Sequence, residues 1–519
     1  MSLRPIAFLF FVSFGAAGLC AAEAPAVEVL RLETAIDQAL ANNLGLIAAR
    51  YSPANALENV LIEQAAFDPE LFGSTARSES LSAASSSSLD SASIPESQSR
   101  RSRVGVDKRF STGANVTVDT GIRRSSSNNI AARNPDYSTD VGLSLRQPLW
   151  KDAWQKVNLA PLARARAASD QSVFELRTEI LDVISNTEIA YWNLAYTQAE
   201  LALIASSLEL AENLLEENRE REKLGLVTPL EVLQAETELV NQQEDVIQAE
   251  RAIEDAEDVL RALMGTVSFL DDLDGDIAVL PMPSELSSLR SMDVIVRETI
   301  LSDADAQAQE RALEVQRINK ILAEDETRPD LDLTADVNYT GRDSDGETAY
   351  RDAYNAKGYD WNVGLELRFP LGFREARAGV RKADRNVARE TVRLYEIKQQ
   401  KALAARNAWR AVHAGQKRIE VTRQALRLNE ETFEQARARY GSGLVAYRQV
   451  LEAQRDFDRA RSNYLSAIID TLRATVRLSR VDGTILARNG FTWETIDALA
   501  EAPDLEAHPQ GDSILIPDT

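Results

Sequence analysis

The stretch Val141-Gly142-Leu143-Ser144-Leu145-Arg146-Gln147-Pro148-Leu149 recurs as Val363-Gly364-Leu365-Glu366-Leu367-Arg368-Phe369-Pro370-Leu371, identical at seven of nine positions. A second pair sets Gly225-Leu226-Val227, then Val232-Leu233-Gln234-Ala235, against Gly443-Leu444-Val445, then Val450-Leu451-Glu452-Ala453. The offsets are 222 residues (363 minus 141) and 218 residues (443 minus 225). Two independent matches at nearly one offset make the chain a tandem duplication. Whatever it folds into is therefore built from two copies of one plan.

Each copy reads as helix, strands, long helix, break, helix. In the first copy, helix is expected over about 32–66, strand-like material to about 149, and helix again over about 151–223 and 229–264. The second copy places helices at about 293–326, 374–440 and 446–480. Gly225, and Gly441 with Gly443, stand where helices end, and Pro229 where a first-turn proline is tolerated. A helix of about 70 residues is about 105 Å long, and the two shorter ones in each copy are about half that. Two short helices stacked end to end match one long one. The economical assembly is a pair of antiparallel hairpins, each about 100 Å long, with little globular core.

Apolar residues recur every seven positions after each break. Val232, Leu239, Val246, Ile253 and Leu260 form one column, with Ala235, Ala249 and Ala256 beside it. Val450, Phe457, Tyr464, Thr471 and Leu478 form the other, with Ala453, Ala460, Ala467 and Ala474 beside it. This is a coiled-coil seam whose alanines admit close helix approach. An ordinary bundle core is the plainer alternative.

The strand segments alternate. Leu331, Leu333, Ala335, Val337 and Tyr339 share one face, and Asp330, Asp332, Thr334, Asp336 and Asn338 the other. One oily and one polar face over about ten residues is the pattern of an outer-membrane strand, although a half-buried soluble sheet alternates too. The second copy has room for strands at about 330–340 and 361–370. The first has candidates at about 70–79, 102–110, 114–122 and 139–147. Ser/Asn-rich stretches, 78–99 and 125–134, read as exposed loops. Four to six strands per chain are too few for a transmembrane barrel, which needs at least about eight. Strands of this kind must be shared among several chains, so an obligate oligomer is expected.

The chain of 519 residues carries 81 acidic and 58 basic residues, net −23, which argues against a nucleic-acid partner. One cysteine, Cys20, and two histidines, His413 and His508, rule out a disulfide framework and give no basis for a metal site or other cofactor. No nucleophile motif, phosphate loop or ligand cluster points to an enzyme, so no catalytic residue is expected. Arg4, the apolar run 6–14 and the small residues ending at Ala22 read as an export signal over 1–22. A lipid-anchored Cys20 is the alternative, against which Leu19 stands where a small residue is expected. The remaining chain divides into a first repeat (23–264), a connecting segment (265–292), a second repeat (293–485) and an acidic tail (486–519), for which a solvated tail is the default.

These features together resemble the TolC-like outer-membrane efflux family. The likeness is carried by Leu32-Glu33-Thr34-Ala35-Ile36-Asp37-Gln38-Ala39-Leu40 near the mature start and by Phe67-Asp68-Pro69-Glu70-Leu71 entering the first strand. Gln147-Pro148-Leu149 and Phe369-Pro370-Leu371 leave the sheets, and the two glycine-containing tips complete the set; together they span about 28–485. The resemblance implies a homotrimer with a shared twelve-stranded barrel in outer-membrane lipid and a helical tunnel through the periplasm. Its partners would be a periplasmic adaptor and an inner-membrane pump, in efflux or type I secretion. A non-transport coiled-coil protein of the cell envelope is the rival reading; it leaves the amphipathic strands without a purpose. Carried over residue by residue, the resemblance assigns adaptor docking to Gly225, Leu226, Val227, Gly443, Leu444 and Val445. It assigns a periplasmic gate to Gln449 and Glu452, with Tyr440 bridging the hairpins to an acidic partner at Glu231. The family's gate arginine falls on Val445, with Arg439 or Arg448 as substitutes. The strands at 102–122 are additional to the family pattern, either extending the rim or adding to the barrel.

Overall fold

The computed structural model describes residues 29–81, 96–128, 133–266, 277–283 and 288–493. The export signal with Cys20, and the tail beyond Trp493, lie outside the described residues.

The first copy contains α1 (Leu32–Asn42), α2 (Leu44–Ala65), β1 (Glu70–Leu81), β2 (Glu96–Arg109), β3 (Asn115–Ser127), β4 (Asp136–Pro148), α3 (Gln155–Asn158), α4 (Ala160–Lys223) and α5 (Pro229–Met264). The second contains α6 (Met292–Ser302), α7 (Ala304–Asp325), β5 (Asp330–Asp343), α8 (Gly346–Tyr354), β6 (Gly358–Arg368), α9 (Arg374–Gly441) and α10 (Tyr447–Val481), followed by α11 (Ile485–Arg488). The long helices α4 and α9 have 64 and 68 residues, or about 96 and 102 Å. Each is flanked along one half by α5 or α10 and along the other by α2 or α7. The rods expected from the sequence are therefore present, each with one side in two pieces.

The segment read as one helix over 32–66 is two helices, and so is its counterpart at 293–326. Asn43 and Asp303 break them with extended backbone, and each side chain caps the following helix by accepting from a backbone N–H three residues on, both at 3.0 Å. The short helices α1 and α6 pack around the middle of the rods. Several separate apolar clusters replace a single core. Ile36, Leu46, Ile180, Ile184 and Val476 form one at mid-height, where Ile485 and Leu486 also pack and Phe491 and Trp493 lean against it. The chain beyond α10 thus stays docked as far as Trp493 instead of leaving as a solvated tail.

The heptad seam is buried at Val232, Ala235, Leu260, Val450, Ala460, Ala467 and Thr471. At one point α9 and α10 approach so closely that a Cβ on Gly415 would lie 2.4 Å from the Thr471 hydroxyl. The other faces are uncovered. Leu233, Val240 and Ile247, seven residues apart on α5, are exposed, as are Val421 and Leu428 on α9.

The six strands form one antiparallel sheet in chain order, with β1 and β6 as unpaired edges. The strands at 102–122 are thus interior strands in the plane of the sheet, and the described residues contribute six strands, not the four of a twelve-stranded trimeric barrel. The segments read as loops are strand at their edges: β1 runs to Leu81, β2 starts at Glu96 and β3 runs to Ser127, while 82–95 and 129–132 lie outside the described residues. Register separates the faces. Leu71, Val106, Val118, Leu143, Val337 and Trp361 stand side by side across all six strands and are exposed. The neighbouring row on the other face is Glu70, Asp107, Thr117, Ser144, Asp336 and Asn362. Tyr339 opposes Tyr359 above the apolar row, and Phe110, Trp150 and Trp154 are exposed near the helical end. One apolar face, one polar face and aromatic residues at both ends of the apolar band form the pattern of outer-membrane strands. Helix α8 lies on the apolar face: the Thr139 hydroxyl donates to the Ala349 carbonyl at 2.8 Å, and a Cβ on Gly341 would sit 1.9 Å from that same oxygen.

Candidate functional site

The ends of the rods farthest from the sheet are two turns built alike. Gly225 and Gly443 have φ of +70° and +73°, a left-handed conformation that side chains resist. Neither has another atom within 4 Å of where a Cβ would stand, so backbone conformation alone selects glycine. In the first turn Gly225 N–H bonds the Glu222 carbonyl at 2.8 Å and Leu226 N–H the Arg221 carbonyl at 2.9 Å. In the second, Gly443 bonds Tyr440 and Leu444 bonds Arg439, both at 2.9 Å. This pair of bonds satisfies the last carbonyls of a helix and reverses the chain. It also throws the next residue outward: Leu226 and Leu444 are 71% and 70% exposed, while Val227 and Val445 fold back against a shared apolar cluster.

That cluster joins the two hairpins. Leu214, Leu215 and Val232 of the first copy pack with Phe433, Tyr440, Tyr447, Val450 and Leu451 of the second. Tyr447 is 1% exposed, and burial pushes its hydroxyl up to about 12, so it stays neutral. Polar links reinforce the junction. Arg455 on α10 pairs with Glu238 on α5 at 2.7 Å. Ser207 donates to Asp458 at 2.8 Å, and burial raises that carboxyl above its ordinary range. Gln454, fully buried, has no partner for either side-chain polar atom, and neither has the amide nitrogen of Asn218.

The residues assigned to the gate do not all come together. Tyr440 does bridge the hairpins, but its hydroxyl bonds Asn218, not Glu231. Glu231 instead accepts from the Thr228 backbone N–H at 2.9 Å and completes a capping box at the start of α5. The arginine that meets Tyr440 is neither Arg439 nor Arg448 but Arg221 of the first copy. It donates to the Tyr440 carbonyl at 3.1 Å and lies 4.5 Å over the Tyr440 ring. Arg448 pairs within its own helix with Glu452 at 2.8 Å, and Gln449 and Glu452 are both exposed. Arg221 and Asn218 sit in a run of Glu, Asn and Arg residues where nothing in the pattern marks either one. Among the described residues no cluster could hold a metal ion, and no helix is long and apolar enough to cross a membrane.

The sequence profile described as "Outer membrane efflux protein" matches residues 112–266 and 295–484, one stretch in each copy. The chain belongs to the outer membrane efflux protein family. Its relatives include the outer membrane protein TolC of Vibrio cholerae, 22% identical over 390 residues, covering 71% of this chain and 82% of that one. The probable efflux pump outer membrane protein SepC of Pseudomonas putida is 24% identical over 392 residues, covering 74% and 77%. Among solved structures, the CmeC outer membrane channel of Campylobacter jejuni superposes with a TM-score of 0.65 at 19% identity, covering 92% of this chain and 90% of that one. VceC of Vibrio cholerae gives 0.62 at 18% identity, covering 87% and 96%. As a member of the outer membrane efflux protein family, this chain is an outer-membrane channel subunit of an efflux system and reaches into the periplasm.

Proposed function

We propose that three copies of this chain close one continuous duct, with a barrel of eighteen strands above a tunnel of twelve helical columns. The single observation carrying this is a two-faced, six-stranded sheet with both edges open, joined to rods about 100 Å long. The arithmetic of circumference supports the number. Each chain presents four helical columns: α4, α5 with α2, α9, and α10 with α7. Twelve columns about 9–10 Å apart make a ring of about 115 Å. Eighteen strands spaced about 4.8 Å and tilted about 40° make a ring of about 113 Å, whereas twelve make only about 75 Å. The heptad-spaced apolar residues on α5 and α9, uncovered in one chain, become contacts between copies.

The two tips are then the adaptor-docking surface. Gly225 and Gly443 set the turns, Val227 and Val445 anchor them, and Leu226 and Leu444 project as apolar knobs. The periplasmic gate is the junction behind them. Tyr440 holds it with Asn218 and Arg221, and Glu231 fixes the start of α5. Gln449 and Glu452 face the passage. An inner-membrane pump completes the assembly, and the open end of the sheet delivers substrate outside. Extraction from outer membranes should yield a trimer that dissociates on heating. Cysteines at Leu226 and Leu444 should crosslink to an adaptor, and Leu226→Asp with Leu444→Asp should abolish that crosslink while leaving the trimer intact. A monomer on extraction, or an undiminished crosslink, refutes the respective part of the reading.

A further inference from the structure

On the apolar face of the sheet, three arginines lie in a row. Arg77 of β1 opposes Arg100 of β2, and Arg100 opposes Arg124 of β3. Residues directly opposed on antiparallel strands hold their Cβ atoms about 5 Å apart, and like charges so placed repel. Among the described residues none of the three has a carboxylate partner; Arg124 lies 5.8 Å over the ring of Tyr137, its neighbour in the same row. The opposite face treats arginines differently. There Arg103 is held by Asp119 at 2.5 Å and Arg342 by Asp136 at 2.7 Å. Arg101 and Arg123 also oppose each other there, but on the polar face, where water solvates them.

The height of the row is informative. It stands six residues beyond the apolar row of Leu71, Val106 and Val118, about 20 Å along the strands and on the same face. An outward apolar band in such sheets is about 25 Å tall, so the guanidinium groups come where hydrocarbon gives way to lipid headgroups. Around them is a groove of about 630 Å³ that also takes in Thr75, Gln98 and Ser126 from the same face. On β1 and β2 the acids of this face, Glu79 and Glu96, lie farther out, and Glu96 accepts from Gln98 at 3.2 Å; Asp343 of β5 stands in the arginine row itself, on the far side of Tyr137 from Arg124.

We propose that Arg77, Arg100 and Arg124 form a binding site for the phosphate groups of an outer-leaflet lipid. Three planar forks presented together suit bidentate bonds to phosphate oxygens, and the apolar row beneath receives the acyl chains. An anion between the three guanidiniums removes the repulsion that the bare row carries. The site rests on the outer-membrane placement of the sheet, which extraction of the trimer tests separately.

Native mass spectrometry of the detergent-solubilised protein gives the test, with bis-phosphorylated lipid A, its dephosphorylated form and inorganic phosphate as probes. The phosphorylated lipid should bind at least about tenfold more tightly than the dephosphorylated one, a ratio equal to about 1.4 kcal/mol. Replacing Arg77, Arg100 and Arg124 together by glutamine should remove that preference, and Arg100→Gln alone should weaken it. Arg101→Gln with Arg123→Gln on the other face should leave it unchanged. Equal binding of the two lipids, or full retention in the triple variant, overturns the site. Displacement of the lipid by millimolar inorganic phosphate assigns the groove to free anions and overturns the lipid reading. Should the triple variant fail to assemble, the single Arg100→Gln variant decides on the same readout.

Discussion

Glu452 shares its charge with Arg448, one turn earlier on α10. Both are exposed, so their attraction is weak in water, and the carboxylate still acts on ions passing nearby. Under the trimeric reading, Glu452→Ala lowers the cation-to-anion permeability ratio in planar bilayers, and Arg448→Ala raises it. Identical ratios for the two variants would remove Glu452 from the passage. The tip glycines were legible in the sequence because a left-handed residue has few alternatives. Glu231 was legible too, but for a different job. Thr228 and Glu231 stand at capping-box spacing, and the structure uses that spacing locally. Asn218 and Arg221 gave no signal, because their role exists only once the second hairpin lies beside the first.

Helices α5 and α10 showed in the sequence because a seven-residue period persists over five repeats in each, and chance does not sustain that. The breaks at Asn43 and Asp303 did not, since no proline marks either and each depends on one side chain capping the helix that follows. The strands were found where oily and polar residues alternate, and missed where they rise above the oily band into serine and arginine. Backbone pairing continues there although side-chain periodicity has stopped. Between the hairpins, Asp458 carries a testable cost. Burial raises its carboxyl pKa, with Arg461 opposing and Glu238 adding to the rise. The folded protein therefore holds this proton to higher pH than the unfolded chain does. Its contribution to stability is present below the ordinary aspartate range and is lost as pH rises through the raised value. Asp458→Asn should raise the melting temperature at neutral pH, and the gain should fade on acidification below that range. A gain that stays constant with pH would show that the charge is not the cause.

Duplication and rod length could be read from the sequence, and so could six candidate strands, but the reading left four to six for the sheet. The resemblance implied four, the pair at 102–122 being additional to the family pattern. Pairing in the plane makes it six among the described residues, and under the trimeric reading three copies match the perimeter of the proposed helical tunnel. A cross-section of the detergent-solubilised channel by electron cryomicroscopy should show eighteen strands. A ring of twelve, with the additional pair folded away from it, would overturn this closure.

The open edges of β1 and β6 bear on how such a molecule is made. In hydrocarbon, each unpaired backbone group costs several kcal/mol. A lone subunit therefore has no inexpensive resting state within the bilayer. Under the trimeric reading, insertion and association become a single event, whose rate rises steeply with the number of subunits waiting at the membrane. On that reading a chain without neighbours gains nothing by entering the bilayer, because its two open edges would enter unpaired.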